Sequence, residues 1–302
     1  MKKKLRQDNG IENVIYTTIS TIFLVALAIV TVYPILNTLT VSFNDATDTI
    51  RGGIYLWPRK WTLHNYETIW ATQKLGSAFF VSVARTVIGA GVDVIFTAMV
   101  AYTLTRKEFV FNRFVTVLYV LTMYVNAGLI PGYMINKSFH LINSFWVYII
   151  PGVVSAFNLI VVRTYMKTIP ASLHESAEID GAGEFTIFLK IMFPLAMPVL
   201  ATVTLFSAVG QWNQWFDTMI YCSSTPSLHP LQYKLMAALQ SSMNQSGAST
   251  ANVANAESAA SQVTPVSIRA ATTIVAAVPI LIVYPFLQKY FVTGMTMGSV
   301  KE

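Results

Sequence analysis

ESAEIDGAGEFTIFLKIMFPLAMP, residues 175–198, separates two long apolar runs with a charged, glycine-punctuated segment. It reads as helix, bend and helix. Pro170 suits a first helical turn, where a missing N–H costs little. Ser172 and Glu175 have the S-x-x-E spacing of a capping box, and Leu173 and Ala177, four apart, share one face. Asp180-Gly181 supplies a stop, because glycine tolerates the left-handed conformation common just past a helix end. A second helix resumes near Gly183-Glu184 and runs on through Phe188, Ile191, Pro194 and Pro198. The first helix is too short to persist alone in water, so it must pack on something. It falls between apolar runs, where a neighbouring cytoplasmic protein is a natural partner.

The composition agrees with a membrane setting. Of 302 residues, 54% are hydrophobic and 11% charged, and the mean hydropathy is +0.54. Soluble domains carry roughly 25% charged residues, so there is too little charge here to cover a water-facing surface. The net charge of +6 is scattered along the chain. Nucleic-acid binding needs a clustered basic face, so the charge is read as topology information. Cys222 is the only cysteine, which excludes an internal disulfide and a cysteine-based metal site. The four histidines (64, 140, 174 and 229) are too scattered in sequence to suggest a metal cluster.

A spanning helix needs about 20 mostly apolar residues. Six segments qualify: 14–41, 77–104, 114–134, 144–166, 187–219 and 269–292. The third is interrupted by Asn126, Gly128 and Pro131. The basic N-terminus and first apolar run resemble a signal peptide, but that run exceeds the roughly 7–15 residues of a signal core, so it is read as a span. With the N-terminus inside, twelve basic residues fall inside: Lys2, Lys3, Lys4, Arg6, Arg106, Lys107, Arg113, Arg163, Lys167, Lys190, Lys289 and Lys301. Six fall outside: Arg51, Arg59, Lys60, Lys74, Lys137 and Lys234. The positive-inside rule therefore places both termini and the 167–187 loop in the cytoplasm. The chain is expected to be one all-α transmembrane domain over 1–302. Of its outer loops, 42–76 is aromatic-rich, as an interfacial belt or a packed cap, and 221–268 ends in a Ser/Ala/Asn-rich tract at 240–262. That tract reads as a solvated loop or as one that orders on a partner.

The pattern E-(A/S)-A-x-x-D-G-A, followed by Phe188, Ile191, Pro194 and Pro198, resembles the EAA loop of ATP-binding-cassette (ABC) importer permeases. The whole chain is similar to permease subunits of carbohydrate-type importers, on the side of the family that includes the six-span maltose permease. The segments SLHESAEIDGAG at 172–183, AVGQWNQWFD at 208–217 and YPFLQKYFVTGMTMGSVKE at 284–302 resemble a complex-oligosaccharide subgroup. The resemblance implies a type I importer permease fold with six transmembrane helices and a cytoplasmic coupling helix. It implies multi-pass insertion in a bacterial plasma membrane. It also implies a complex with a second, non-identical permease, two ABC ATPase subunits and an extracytoplasmic solute-binding protein that delivers an oligosaccharide. Carried over, Glu175 is the polar contact to the ATPase and Gly181 makes the bend, while Ala177 and Ala182 allow close approach. Ser176 stands where the pattern has Ala, and Asp180 precedes the bend. No G-x-x-x-x-G-K-[ST] phosphate loop is present. The chain is therefore expected to be no enzyme and to hold no cofactor, with ATP–Mg bound by the partner subunits.

An ionisable residue at the bilayer centre costs about 2.5–3.5 kcal/mol and usually faces a cavity or a partner. Arg85, near a span end, is expected to snorkel. Asp93 is deeper and needs a partner on another helix, either as helix–helix glue or as pathway lining. Asn126 and Asn158 are further polar span residues, read either as helix–helix hydrogen bonding or as lining of the substrate path. Gly89 and Gly91 are read as permitting close helix packing. Trp212, Asn213, Trp215 and Asp217 combine aromatic faces for stacking on pyranose rings with groups that hydrogen-bond hydroxyls. In one helix, 212 and 215 lie about 60° apart and 213 and 217 about 40° apart, so all four would share one broad face. That face is the expected substrate path. Two rival readings remain: an ion-coupled secondary transporter, which would not need the docking loop, and a membrane-embedded enzyme, which would need a catalytic constellation within the spans. An ABC permease for a non-sugar solute is the alternative within the class.

Overall fold

The computed structural model describes residues 11–72, 74–248 and 264–297, with backbone alone for 11, 12, 72, 241–248 and 283–297. Lys2, Lys3, Lys4, Arg6 and Lys301, the tract 249–262 and the end of the 284–302 match lie outside the described residues. Among the described residues there is no strand. A single antiparallel bridge joins Asn44 and Trp61. The chain divides into two compact units, 1–69 with 238–274 and 70–237 with 275–302.

The first unit opens with α1, Ile11–Ser42, whose apolar side chains are exposed along its length. At 32 residues it is about 48 Å long, enough to cross a bilayer of about 30 Å hydrocarbon. The chain after α1 folds into a small cap containing α2, Ala46–Ile50, and the start of α3, His64–Thr72. Phe43 packs on Trp61 and Tyr66, and Trp57 meets Trp61 edge-on. Of the two readings of this loop, 43–66 is thus a packed cap. Its centre is polar. The fully buried Asn44 amide donates to Asp48 Oδ2 (3.1 Å) and Thr49 Oγ1 (3.0 Å), and its carbonyl accepts the Lys60 N–H at 3.0 Å. Arg59 Nε reaches the same Asp48 oxygen at 2.9 Å.

The second unit is organised by α4, Leu75–Thr103. Its buried residues run through Ala78, Ser82, Arg85, Gly89 and Asp93, then Ala90, Val94, Thr97, Ala98 and Ala101. Steps of three and four make a narrow face of small side chains. Against it pack α7, Ala156–Met166, and α11, Met197–Asn213. A Cβ on Gly89 would meet the Gln211 side chain at 2.8 Å, so this glycine makes room for α11. Gly91 faces open space, and the packing role expected for it does not hold.

Prolines and extended residues interrupt the remaining segments. The expected 114–134 span is two helices, α5, Asn112–Tyr124, and α6, Leu129–Ser138. Val125 is extended between them and Gly128 has φ +86°. Asn126 is exposed there, and its side chain accepts the Gly128 N–H at 2.8 Å. Segment 144–166 begins as two 3₁₀ turns, Phe145–Tyr148 and Ile150–Gly152, and bends by 48° into α7. After α8, Ala171–Ile179, the expected 187–219 span contains α9, Glu184–Ile187, a π turn, Phe188–Met192, and α10, Phe193–Leu195. It then bends by 80° into α11. Pro194 and Pro198 cannot donate to preceding carbonyls, which accounts for the break beside them. The chain continues through α12, Phe216–Tyr221, and α13, Leu231–Ala248, to α14, Pro265–Met297. Part of segment 221–268, expected as an outer loop, is therefore helical. Among the described residues three helices are long and apolar enough to cross a membrane, or five if each bent pair counts as one span.

Asn44→Ala is expected to destabilise the cap by about 1–3 kcal/mol, because the Lys60 N–H and the Asp48 carboxylate lose a partner. The Asn44 amide, then Arg59, holds the Asp48 carboxyl below its usual value. A carboxyl lowered in the folded state stabilises above its unfolded pKa and loses that contribution as pH falls through the folded value. Thermal melts followed by tryptophan emission should show the wild-type cap weakening below about pH 4. In Asn44→Ala that acid dependence shrinks.

Candidate functional site

Helix α8 begins at Ala171 with Pro170 in the capping position and no side-chain cap. Ser172 lies inside the helix, so the expected capping box is not formed, and Pro170 precedes the first turn instead of occupying it. Only His174 and Ala177 are buried. Leu173 is exposed, so the inner face follows 174 and 177, not 173 and 177. The helix ends in a Schellman turn. Asp180 is the C-cap and Gly181 follows at φ +78°. The Gly181 N–H donates to Glu178 O at 2.9 Å and the Ala182 N–H to Ala177 O at 3.0 Å, the two bonds that define the motif. Ala177 and Ala182 join the core cluster. Glu175, Ser176, Asp180 and Gly181 are exposed, and Ile179 is 87% exposed. The outward face thus offers an apolar side chain among acidic and hydroxyl groups.

A residue that sequence reasoning passed over fixes this helix. His174 Nε2 lies 3.2 Å from the Tyr102 hydroxyl and 3.4 Å from Glu184 Oε2, and Nδ1 lies 3.6 Å from Glu178. Tyr102 in turn donates to Glu184. Tyr102 ends α4, while Glu184 opens α9, so one imidazole ties α8 to both. The His174, Glu178 and Glu184 ligand atoms lie within 4.8 Å of one another, a grouping the scattered histidines did not suggest. A carboxylate oxygen thus lies near each ring nitrogen. The i, i+4 spacing of His174 and Glu178 was legible; Tyr102, 72 residues away, was not. Phe188, from the motif, is buried in the π turn against Tyr102 and Phe193.

Further along α4, polar side chains converge on a cavity of about 430 Å³. Arg85 is 1% exposed and does not snorkel. It makes a bidentate pair with Asp217, at 2.6 Å to Oδ2 and 3.3 Å to Oδ1. Its remaining donors reach Gln211 Oε1 and Gln214 O, and its guanidinium lies 4.3 Å over the Tyr148 ring. Desolvating two charges costs several kcal/mol each, and this many hydrogen bonds are needed to offset it. Asp93 accepts from Thr97 at 2.9 Å and from Asn158, on α7, at 3.1 Å. It therefore has the cross-helix partner that its depth demanded.

Asp93, Asn158 and Asp217 all line this cavity. The other expected path residues do not. Helix α11 stops at Asn213, Gln214 is extended and α12 starts at Phe216, so Trp212, Asn213, Trp215 and Asp217 do not share one face. Trp212 is buried against Phe79, and its indole N–H donates to Ala276 O at 3.1 Å. Asn213 is exposed and accepts from Gln232 at 3.3 Å, and Trp215 meets Phe216 edge-on.

Asp217→Ala leaves Arg85 buried and unpaired, which should cost about 3–5 kcal/mol. The amount of folded protein recovered by size exclusion is expected to collapse. Replacing the pair together, Arg85→Met with Asp217→Leu, should recover much of it. Equal loss in the single and double variants would show that the pair is not the stabilising unit.

The family of binding-protein-dependent transport system inner membrane components matches residues 1–297. A Bacillus subtilis protein named polygalacturonan/rhamnogalacturonan transport system permease protein YtcP is 33% identical, over 92% of this chain and 96% of its own length. Protein LplC of the same organism is 33% identical over 95% of each chain. Among solved structures, a bacterial ABC transporter involved in the import of the acidic polysaccharide alginate contains a chain that superposes with TM-score 0.83 at 26% identity. The match covers 93% of this chain and 98% of that one. The chain belongs to the family of binding-protein-dependent transport system inner membrane components, as a permease of the carbohydrate-type ABC importer class, a transport subunit and not an enzyme.

Proposed function

We propose that this chain is one of two dissimilar membrane subunits of an ATP-driven oligosaccharide importer, and that α8 is its coupling helix. The observation that carries the reading is the geometry of α8. One face is locked by His174 to α4 and α9, and the opposite face is exposed and ends in a rigid glycine bend. In this reading Glu175, Ser176, Asp180 and Gly181, with Ile179, meet an ABC ATPase that binds the ATP–Mg, while Ala177 and Ala182 seat the helix. Two ATPases, a second permease and an extracytoplasmic binding protein complete the complex. Six membrane crossings, with both termini and α8 in the cytoplasm, follow from the basic-residue bias. The broken segments 112–138, 145–166 and 184–213 then serve as interrupted spans.

The polar cavity is proposed as this subunit's share of the translocation path. Asp93, Asn158 and Asp217 line it with Gln211 and Gln214, a set of amides and carboxylates suited to hydroxyl groups. The permease named for polygalacturonan and rhamnogalacturonan, and the transporter that imports alginate, support a saccharide substrate.

An added Cβ at Gly181 meets nothing within 4 Å, so a substitution there strains only the backbone. Gly181→Val is expected to undo the bend, since a β-branched residue is strongly disfavoured at positive φ. Glu175→Lys places the wrong charge on the outward face. Both variants should insert normally and lose binding-protein-stimulated ATPase activity and uptake. Wild-type stimulation in purified Gly181→Val complexes would overturn the coupling role.

Topology has its own test. Single cysteines introduced on a Cys222→Ser background at 180 should resist a membrane-impermeant thiol reagent in intact cells. Those at 57 should react. External labelling at 180 would overturn the orientation.

A further inference from the structure

The corner where α4 passes into α5, and α7 into α8, encloses a cavity of about 390 Å³. Arg106, Lys107, Lys167 and His174 line it, and no Asp or Glu does. Lys107 and Lys167 are exposed, and among the described residues neither has a carboxylate within ion-pair distance. The Arg106 guanidinium lies 4.9 Å from the centre of the Tyr102 ring, and its buried Nε has no hydrogen-bond partner. A buried guanidinium N–H without an acceptor is unfavourable, so this one calls for an oxygen.

The walls are held in place before any ligand arrives. The Asn112 amide donates to Leu104 O at 2.8 Å and Arg106 O at 3.2 Å, and Arg163 clasps both Leu104 O and the Asn112 side chain at 3.0 Å. The corner begins directly beyond Thr103, where the apolar helix α4 ends. Beside it in sequence, Val110, Phe111 and Phe114 are exposed large apolar residues. Clustered cations, an unsatisfied guanidinium donor and an apolar rim suit a group with several anionic oxygens at the edge of a bilayer.

We propose that this cavity binds a phosphate group, supplied by the headgroup of an anionic phospholipid or by a soluble phosphate. The importer reading bears on it only in naming the leaflet that supplies a lipid. The test uses the complex as purified, incubated in detergent with phosphatidylglycerol or phosphatidylcholine and examined by native mass spectrometry. Inorganic phosphate is titrated calorimetrically in a separate arm.

Wild type is expected to retain phosphatidylglycerol over phosphatidylcholine, or to bind inorganic phosphate. Lys107→Gln with Lys167→Gln should weaken whichever is observed by about fivefold per residue. Both side chains are exposed, so the variant should fold. Arg113→Gln neutralises an exposed cation of α5 outside the cavity and should change nothing. Phosphatidylglycerol selectivity without phosphate binding assigns the lipid source, and the converse assigns the soluble one. Three outcomes overturn the proposal. The double variant could bind like wild type. Arg113→Gln could lose as much, which means diffuse attraction to a positive surface. The double variant could shed the ATPase, which makes the cavity a protein contact. Copurification of an ATPase with the wild type tests the importer reading separately, and lipid retention is read on the permease in either case.

Discussion

The close approach of α11 to the small-residue face of α4 is the constraint on which the polar cavity depends. Gly89 has no side chain, so Gln211 lies against the α4 backbone. From there Gln211 reaches Arg85, and with Asp217 and Gln214 it surrounds a guanidinium that would otherwise be buried without partners. The order of dependence follows. Small residues set the helix spacing, the spacing admits the glutamine, and the glutamine makes a buried charge tolerable. A side chain at position 89 would meet Gln211 and, through it, disturb the cavity that Gln211 lines.

The same helix links the cavity to α8. Arg85 and Tyr102 are 17 residues apart, about 25 Å along an unbroken α-helix. Tyr102 holds His174 and Glu184 at one end, and Arg85 and Asp93 line the cavity at and beyond its middle. On the proposed reading, a pull on α8 acts on α4 through a buried hydrogen-bonded tyrosine and on the α9–α11 arm through Glu184. The two arms differ in stiffness. Helix α4 is continuous, whereas the other arm has a π turn and an 80° bend before α11. Relative movement between α4 and α11 would change the partners of Arg85, because Gln211 is on α11 and Asp217 on α12, which follows it.

Local chemistry was legible in the sequence wherever one residue settles a backbone conformation. Asp180-Gly181 predicted the end of α8, and the structure adds the two hydrogen bonds of the Schellman turn. Gly183-Glu184 predicted the restart of the helix. The capping box failed because Pro170 takes the capping position and moves the helix start to Ala171, leaving Ser172 inside. Where the argument needed a continuous helix over 212–217, it missed Gln214 and Trp215, neither of which carries a proline or glycine signal. The apolar run 114–134 was flagged at Asn126, Gly128 and Pro131; the first two lie in its break and Pro131 sits in the first turn of α6.

Long-range partners were not legible, and the reason is physical. The depth of Asp93 demanded a hydrogen-bond donor, but nothing in a single chain names Asn158, 65 residues later, as that donor. Arg85 read as a snorkelling residue because its position near a helix end offered water. The energetic alternative, a bidentate carboxylate and a glutamine brought from 126 or more residues away, exists only once α11 has packed. His174 was discounted because histidines were counted along the chain. Its role depends on two carboxylates and a phenol meeting at one point, and only the fold of α4, α8 and α9 supplies that meeting. Glu175 and Glu178 share chemistry and are both exposed; they differ in reach, and of the two Glu178 lies near the imidazole.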